Sequence, residues 1–451
     1  MAVDPKSDPL LAASLTPAYR KVRRVAPKDS PVTPPDKAPD PELGSKLIPK
    51  ERYISHDFMR LEWERIWTKV WLLGGLISDL AEPGDYIATE IGPESVLIVR
   101  QAGGGVRAFY NVCLHRGNRL RNPGIGAAQS FKCQYHHWEY NWDGSFKRIP
   151  DLDTFPQGAP PCRGLTELPC ATWGGFVWFS LNPDVEPLER YLHPVHEHLA
   201  PYRFDKMALT RDITVEWDCN WKTSVDAFNE SYHVQAIHPQ LMWYLHDLDI
   251  QIDCYERHNR YLIPFGALSP RVRKPNTIPD PIKVIMKAAG MDPADYDDPI
   301  DNIRRDVQLW KRKHGPSQGK DYSLLNDDQL TDDYHYLIFP NVTLNTHADD
   351  LMLFRQRPHP SDPDKMFYDI WTLELLPEGA ERPERPPHRH YKHGEKSIGL
   401  VLDQDAANLR GVQAGMHSAG FPGLWIGAQE LRIRHFHKVI EDYVYGRSEP
   451  A

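Results

Sequence analysis

The sequence predicts an α+β protein in which a compact β domain precedes a larger mixed domain. Three observations carry this expectation. Short β-rich segments separated by glycine turns fill residues 84–182, helical and strand patterns alternate over 187–445, and an amphipathic helix opens the folded part. A length of 451 residues suits two or three domains. The expected division is a proline-rich arm at 1–45, a β domain with its leading helix at 46–186, and a second domain at 187–451.

The arm holds nine prolines and few large apolar residues beyond Leu10–Leu15, so it reads as an extended, mobile segment that wraps over a neighbour. Phe58, Leu61, Trp63, Ile66, Trp67 and Val70 then recur at helical spacing. Tyr86–Thr89, Ser95–Val99 and Phe176–Phe179 are β-rich, and Gly103–Gly105, Asp143-Gly144 and Gly174-Gly175 mark turns. In the second domain, helices are expected near 220–238, 300–313 and 403–417, and strands near 336–345, 350–357 and 366–375. A closing helix near 428–445 places Leu431, Phe436, Val439, Ile440 and Tyr443 largely on one side, with Gly446 as its stop. Segments 270–300 and 376–395, rich in proline and charge, read as surface excursions. No internal repeat is present.

The net charge of −9 argues against a nucleic-acid partner. No run approaches 18 apolar residues and the amino terminus has no apolar signal core, so a soluble cytoplasmic protein is expected. Six cysteines in this length exclude a disulfide framework. Cys162, Cys170, Cys219 and Cys254 have no histidine company and read as small buried side chains. Cys113 and Cys133 differ.

Cys113-Leu114-His115 is followed, after seventeen residues, by Cys133-Gln134-Tyr135-His136. Each half offers one thiolate and one imidazole from a tight turn. Two cysteines can hold one iron of a two-iron cluster and two histidines the other. A tetrahedral zinc site could use the same four residues, although zinc sites more often have two-residue gaps in both halves. Chance pairing is the third reading. The run Arg107–Gly117, with Cys133-Gln134-Tyr135-His136-His137-Trp138, resembles the Rieske domain of ring-hydroxylating oxygenases. In that family a glycine usually stands where this chain has His137.

Asp226, Glu230 and His233 are spaced by four and three, which on a helix puts them on one face. His238 lies five beyond His233, about 140° away on a regular helix, so the two imidazoles converge only if the helix loosens or ends between them. Pro239 favours such an ending. Two histidines and a carboxylate on one side of an iron leave positions open for dioxygen and substrate. The stretch Asn220–His233 is similar to the iron-binding helix of the same family, in its Trp221-Lys222 start, its acid at 230 and its Tyr232. Ala227 and Asp226 depart from the usual asparagine and glutamate.

The resemblance covers roughly residues 50–445 and implies a helix-grip catalytic domain, antiparallel sheet plus helices, with the iron at the base of its cavity. It implies that the third ligand is Asp405, with Asp403 second, in Leu402-Asp403-Gln404-Asp405-Ala406. It also implies that Glu230 bridges His233 and His136 of the partner subunit, within a ring-shaped homotrimer or a trimer with small β subunits. Asp226 is grouped with Glu230 as catalytic. Phe228, Val234, Leu241, Trp243, Asn345, Leu353 and Phe354 are the expected cavity wall, suited to an aromatic or alicyclic substrate.

The implied cofactors are one [2Fe-2S] cluster and one mononuclear ferrous iron. The implied partners are dioxygen and a ferredoxin or NAD(P)H-dependent reductase. Oxidative O- or N-demethylation is an alternative outcome. An electron-transfer protein without oxygenase activity and a zinc-binding interaction protein are the readings from other classes. The groups His193, His196, His198 and His388, His390, His393 lie in connecting segments and read as exposed loop residues.

Overall fold

A computed structural model describes residues 29–248 and 250–446. Before Ile48 the described part of the proline-rich arm has no helix or strand, and it is anchored on its own chain. Asp327 N donates to Ser30 Oγ at 3.0 Å and Ala38 N donates to Asp253 Oδ1 at 2.7 Å. Leu10–Leu15 lies outside the described residues. The leading helix comes in two pieces, Glu51–Ile54 and His56–Glu62, with a wider π turn at Trp63–Trp67. Ser55 separates them and caps the second, its hydroxyl accepting from Phe58 N at 3.2 Å.

The β domain is built on a five-stranded antiparallel sheet, ordered 167–168, 106–110, 94–100, 85–91 and 124–127. Its strand Glu94–Arg100 shows why the sequence there is continuously apolar. Val96 and Ile98 face the main core of the molecule, whereas Leu97 and Val99 face a smaller core containing Cys113, Cys133, Phe109 and Trp138. A three-stranded meander of 131–132, 139–140 and 146–148 carries the loop 133–138. A second three-stranded sheet, 170–173, 176–180 and 71–76, joins this domain to the main core.

The second domain is an eight-stranded sheet in the order 251–254, 259–263, 333–338, 342–346, 350–358, 366–375, 207–217 and 389–392. All neighbours are antiparallel except the last pair. Helix Trp221–Phe228 packs on strand Asp350–Pro358, and helix Leu431–Tyr445 packs on the strands 251–254 and 259–263. The closing helix thus begins three residues later than the sequence suggests.

Several expectations are corrected here. The single strand near 336–345 is a hairpin, Asp333–Ile338 and Val342–Thr346, because Pro340 has no N–H for a continuous ladder. Strand Met207–Trp217 was not anticipated, since charged Arg211 and Asp212 interrupt its apolar pattern. Asp212 is satisfied by Arg385 at 2.6 Å and by Trp371 Nε1 at 3.1 Å. The excursion 270–300 contains helix Asp280–Ala288, whose Ile282 and Met286 pack on Ile303 and Val307. Segment 376–395 supplies the edge strand Arg389–Lys392.

A buried ion pair locks the leading helix to the helix that begins at Trp221. Lys222 Nζ lies 2.7 Å from Glu62 Oε1, with both side chains essentially inaccessible. Burial pulls the Lys222 ammonium below its ordinary value and pushes the Glu62 carboxyl above its own, each opposed by the other's charge. Replacing Lys222 with Met leaves Glu62 buried and uncompensated, so chemical denaturation should show a loss of about 3–5 kcal/mol. A change of a few tenths would show that the pair does not fasten the two helices.

Candidate metal centres

Two hairpin turns in the β domain face each other with the same backbone construction. Gly117 N donates to Cys113 O at 3.0 Å, and His137 N donates to Cys133 O at 3.1 Å. Each turn closes on a residue of positive φ, 74° at Gly117 and 59° at His137. The symmetry explains the preference for glycine at the second position and shows that His137 accepts a left-handed backbone instead. Its side chain is exposed.

The two thiols are buried and the two imidazoles lie nearer the surface. Tyr140 OH lies 3.4 Å from Cys113 Sγ, and Asn118 Nδ2 donates to Cys133 Sγ at 3.7 Å. Burial raises the Cys113 thiol. At Cys133 burial acts the same way, but the backbone N–H groups of Tyr135 and His136 and the neighbouring thiol prevail and lower it. The rings of His115 and His136 meet edge to face with centroids 4.5 Å apart, and His115 stacks on Trp138. Burial and the His136 charge lower the His115 imidazole, which keeps it neutral, as a metal ligand must be. His115 Nδ1 is buried without a hydrogen-bond partner. An orphaned ring nitrogen beside a second imidazole and two inward thiols fits the donor set of a Rieske cluster.

The second constellation depends on where a helix ends. Asn220 caps helix Trp221–Phe228, its side chain accepting from Lys222 N at 3.0 Å. The helix stops at Phe228, and a separate turn Val234–Ile237 follows. The expected common face of Asp226, Glu230 and His233 therefore does not form. Asp226 stays on the helix and is buried against Tyr53 OH at 2.5 Å and His437 Nε2 at 3.2 Å, away from the cavity described below. Its grouping with the catalytic residues is corrected to an anchor of the helix.

Glu230 lies beyond the break. It accepts from His233 N at 3.0 Å and hydrogen-bonds His233 Nδ1. His238 Nδ1 hydrogen-bonds Gln404 Oε1 at 2.9 Å, and Gln240 Nε2 donates to the same oxygen at 2.7 Å. With both Nδ1 atoms engaged, both Nε2 atoms face Asp405. Asp405 Oδ1 lies 2.8 Å from His238 Nε2 and 3.7 Å from His233 Nε2, and the three donors fall within 4.8 Å of one another. Burial pulls the His233 imidazole down, but the Glu230 carboxylate overrides it and raises the group. Asp403 instead accepts from Ser397 Oγ and Ile398 N at the start of helix Leu400–Met416. A carboxylate with two imidazoles oriented through their other nitrogens fits a non-haem iron.

These donors sit on the wall of a cavity of about 420 Å³ between sheet and helices. Phe228, Val234, Leu241, Asn345 and Phe354 line it. Leu353 does not: strand side chains alternate, so Met352 and Phe354 face the cavity while Leu353 is buried in the main core. Trp243 is 36 % exposed and stands outside the lining. Arg211, Tyr261 and Asp333 on strands, His347 just after a strand and Tyr244 after the turn Pro239–Trp243 also line the cavity, placed there by long-range packing that the sequence does not disclose. Of the other histidines, His198 is part-buried against Tyr255, and burial pushes its imidazole down to about 3. His193, His388 and His390 are exposed as expected, His388 and His390 hydrogen-bonding Asp212 and Glu216, whereas His196, His198 and His393 are part-buried.

Cluster loops followed by a two-histidine, one-carboxylate cavity in an α+β domain define a two-centre iron protein. The chain belongs to the family described as "Ring hydroxylating alpha subunit (catalytic domain)", whose model matches residues 204–446, and a "Rieske [2Fe-2S] domain" model matches residues 70–167. Its cofactors are accordingly a Rieske [2Fe-2S] cluster and a mononuclear iron.

The glycine betaine monooxygenase oxygenase subunit of Chromohalobacter salexigens is 30 % identical over 201 residues, 44 % of each chain. The large oxygenase component of salicylate 5-hydroxylase from a Ralstonia species is 33 % identical over 216 residues, 44 % of this chain and 50 % of that one. The matched region thus spans about half, or less, of these relatives. A solved quaternary ammonium Rieske monooxygenase, in which carnitine oxidation and inter-subunit electron transfer are described, shares the fold with a TM-score of 0.66. It is 18 % identical, over 90 % of this chain and 99 % of that one. Among the described residues no helix is long and apolar enough to cross a membrane.

His137→Gly should keep the cluster's visible spectrum and raise stability by up to about 1 kcal/mol in a thermal melt, because glycine adopts the left-handed backbone without strain. Loss of the cluster would assign the His137 side chain a role in binding it.

Proposed function

We propose that this chain is a terminal oxygenase component that hydroxylates a small aromatic or alicyclic substrate with dioxygen, using electrons delivered by a ferredoxin or reductase. The observation that carries this reading is the convergence of His233 Nε2, His238 Nε2 and Asp405 Oδ1 on the wall of an apolar cavity, in a chain that also presents two Cys–His loops. When bound, the two iron groups supply the redox chemistry, a one-electron relay and the activation of dioxygen.

The chain's own residues hold and orient. Cys113, His115, Cys133 and His136 are the cluster ligands in this reading, and His233, His238 and Asp405 hold the mononuclear iron. Glu230 and Gln404 fix the two imidazoles by their Nδ1 atoms, so that Nε2 is the nitrogen offered. Phe228, Met352 and Phe354 exclude water and position an apolar substrate. A role of Glu230 as a bridge to His136 of the partner subunit rests on the resemblance and on its fixed bond to His233. It entails a ring-shaped oligomer. An electron-transfer protein has no use for the second donor set or for the cavity beside it.

His233→Ala should keep the cluster's colour while oxygen consumption coupled to substrate loss falls below detection. Retained turnover would remove His233 from the iron site. Glu230→Gln should leave the cluster spectrum and iron content intact while the single-turnover rate falls by about 10–100-fold. An unchanged rate would count against the bridge.

A further inference from the structure

The cavity wall is largely apolar, and its ionisable groups outside the metal donors and Glu230 include one pair of opposite charge, Asp333 and His347. Asp333 opens the strand Asp333–Ile338, and His347 follows the strand Val342–Thr346. Tyr334 pairs with Thr346, so antiparallel register sets Asp333 and His347 side by side. Both line the cavity. Asp333 Oδ1 and His347 Nε2 are buried, and neither has a hydrogen-bond partner. They stand 3.8 Å apart, too far to satisfy one another directly.

The His347 ring is not free to turn away. Its Nδ1 bonds Asp350 Oδ1 at 2.8 Å and its backbone N–H donates to Asp350 O at 3.0 Å, which closes the hairpin tip. Phe265 lies against the ring with centroids 5.7 Å apart, and Tyr244 packs edge to face on Phe265. Burial pulls the His347 imidazole down, yet the Asp350 and Asp333 carboxylates prevail and raise it to about 9. At neutral pH its Nε2 therefore carries a proton to donate. Burial pushes the Asp333 carboxyl up to about 7, so it keeps acceptor capacity there. An unmatched donor and an unmatched acceptor thus face the same space in an apolar, aromatic surround.

We propose that Asp333 and His347 form a substrate-anchoring subsite for a hydroxyl group, so that the chain takes an otherwise apolar alcohol or phenol. One hydroxyl oxygen can accept from His347 Nε2 and donate to Asp333 Oδ1, bridging a 3.8 Å gap with two ordinary hydrogen bonds. A hydrocarbon leaves both groups unpaired, and a methyl ether satisfies only the donor. A quaternary ammonium group has no N–H or O–H to offer and meets the His347 cation. Arg211, also on the wall, donates to Ile398 O. The subsite rests on the oxygenase reading for its purpose, since it fixes which carbon of the substrate faces the metal donors, but binding can be read without turnover.

The test uses the iron-loaded full-length protein, kept anaerobic, with 2-naphthol, 2-methoxynaphthalene and 2-methylnaphthalene as matched probes in titration calorimetry. The wild type should bind 2-naphthol about ten-fold or more tightly than 2-methylnaphthalene, corresponding to about 1.4 kcal/mol, with the methoxy compound between them. His347→Leu and, separately, Asp333→Val should bring the naphthol affinity within about three-fold of the hydrocarbon. Retained 2-methylnaphthalene binding certifies the fold of each variant, and either variant alone suffices if the other does not fold. Equal affinities in the wild type, or a naphthol preference that survives a folded variant, would overturn the subsite. Selective naphthol binding by a protein that consumes no oxygen with any substrate would leave the subsite standing and sink the oxygenase reading instead.

Discussion

The site depends on a helix that has to stop. Residues five apart on a regular α-helix diverge by about 140°, so His233 and His238 cannot meet one ion from a continuous helix. The chain resolves this by fixing the helix Trp221–Phe228 and by ending the following turn, Val234–Ile237, at His238. Asn220 caps the start, Lys222 meets Glu62, and Asp226 is held by Tyr53 and His437. After Phe228 the regular bonds cease and Glu230 folds back onto His233; the separate turn Val234–Ile237 then ends at His238, whose non-helical backbone (φ −124°, ψ 53°) brings its ring to Asp405. Rigidity at one end makes the irregular geometry at the other reproducible.

Legibility in the sequence follows the range of each interaction. The two Cys–His loops are local turns, so the grouping of Cys113, His115, Cys133 and His136 is readable from spacing and from a family resemblance. His137 looked like an anomaly until the matching backbone of the two loops showed that a left-handed residue is required there. Asp226 misled because its helical spacing from Glu230 assumes a helix that ends first. Asp405 and Asp403 sit two apart on the same helix start, and only packing against His238 separates them.

Long-range register was the least legible. Strand Met207–Trp217 carries charges that read as surface until Arg385 and Trp371 are brought beside Asp212 from far along the chain. Leu353 belonged to the correct strand but to the wrong face, a one-residue error that moves a side chain from cavity to core. The Asp333–His347 pair had no sequence signal at all, because each residue is unremarkable until the strands 333–338 and 342–346 are aligned. The two Cys–His loops are thus written in short motifs, and the cavity lining in the register of a sheet. This division accords with a family whose matched members include glycine betaine and salicylate oxygenases.

In the proposed reading one chain holds two separate iron groups, a cluster between two Cys–His loops and a single ion at His233, His238 and Asp405. Iron and acid-labile sulfide determined on the purified, anaerobically reconstituted protein test this most directly. Three irons and two sulfides per chain are expected, two irons from the cluster and one from the second donor set. Two irons with two sulfides after full reconstitution would leave the second donor set without its metal and contradict it.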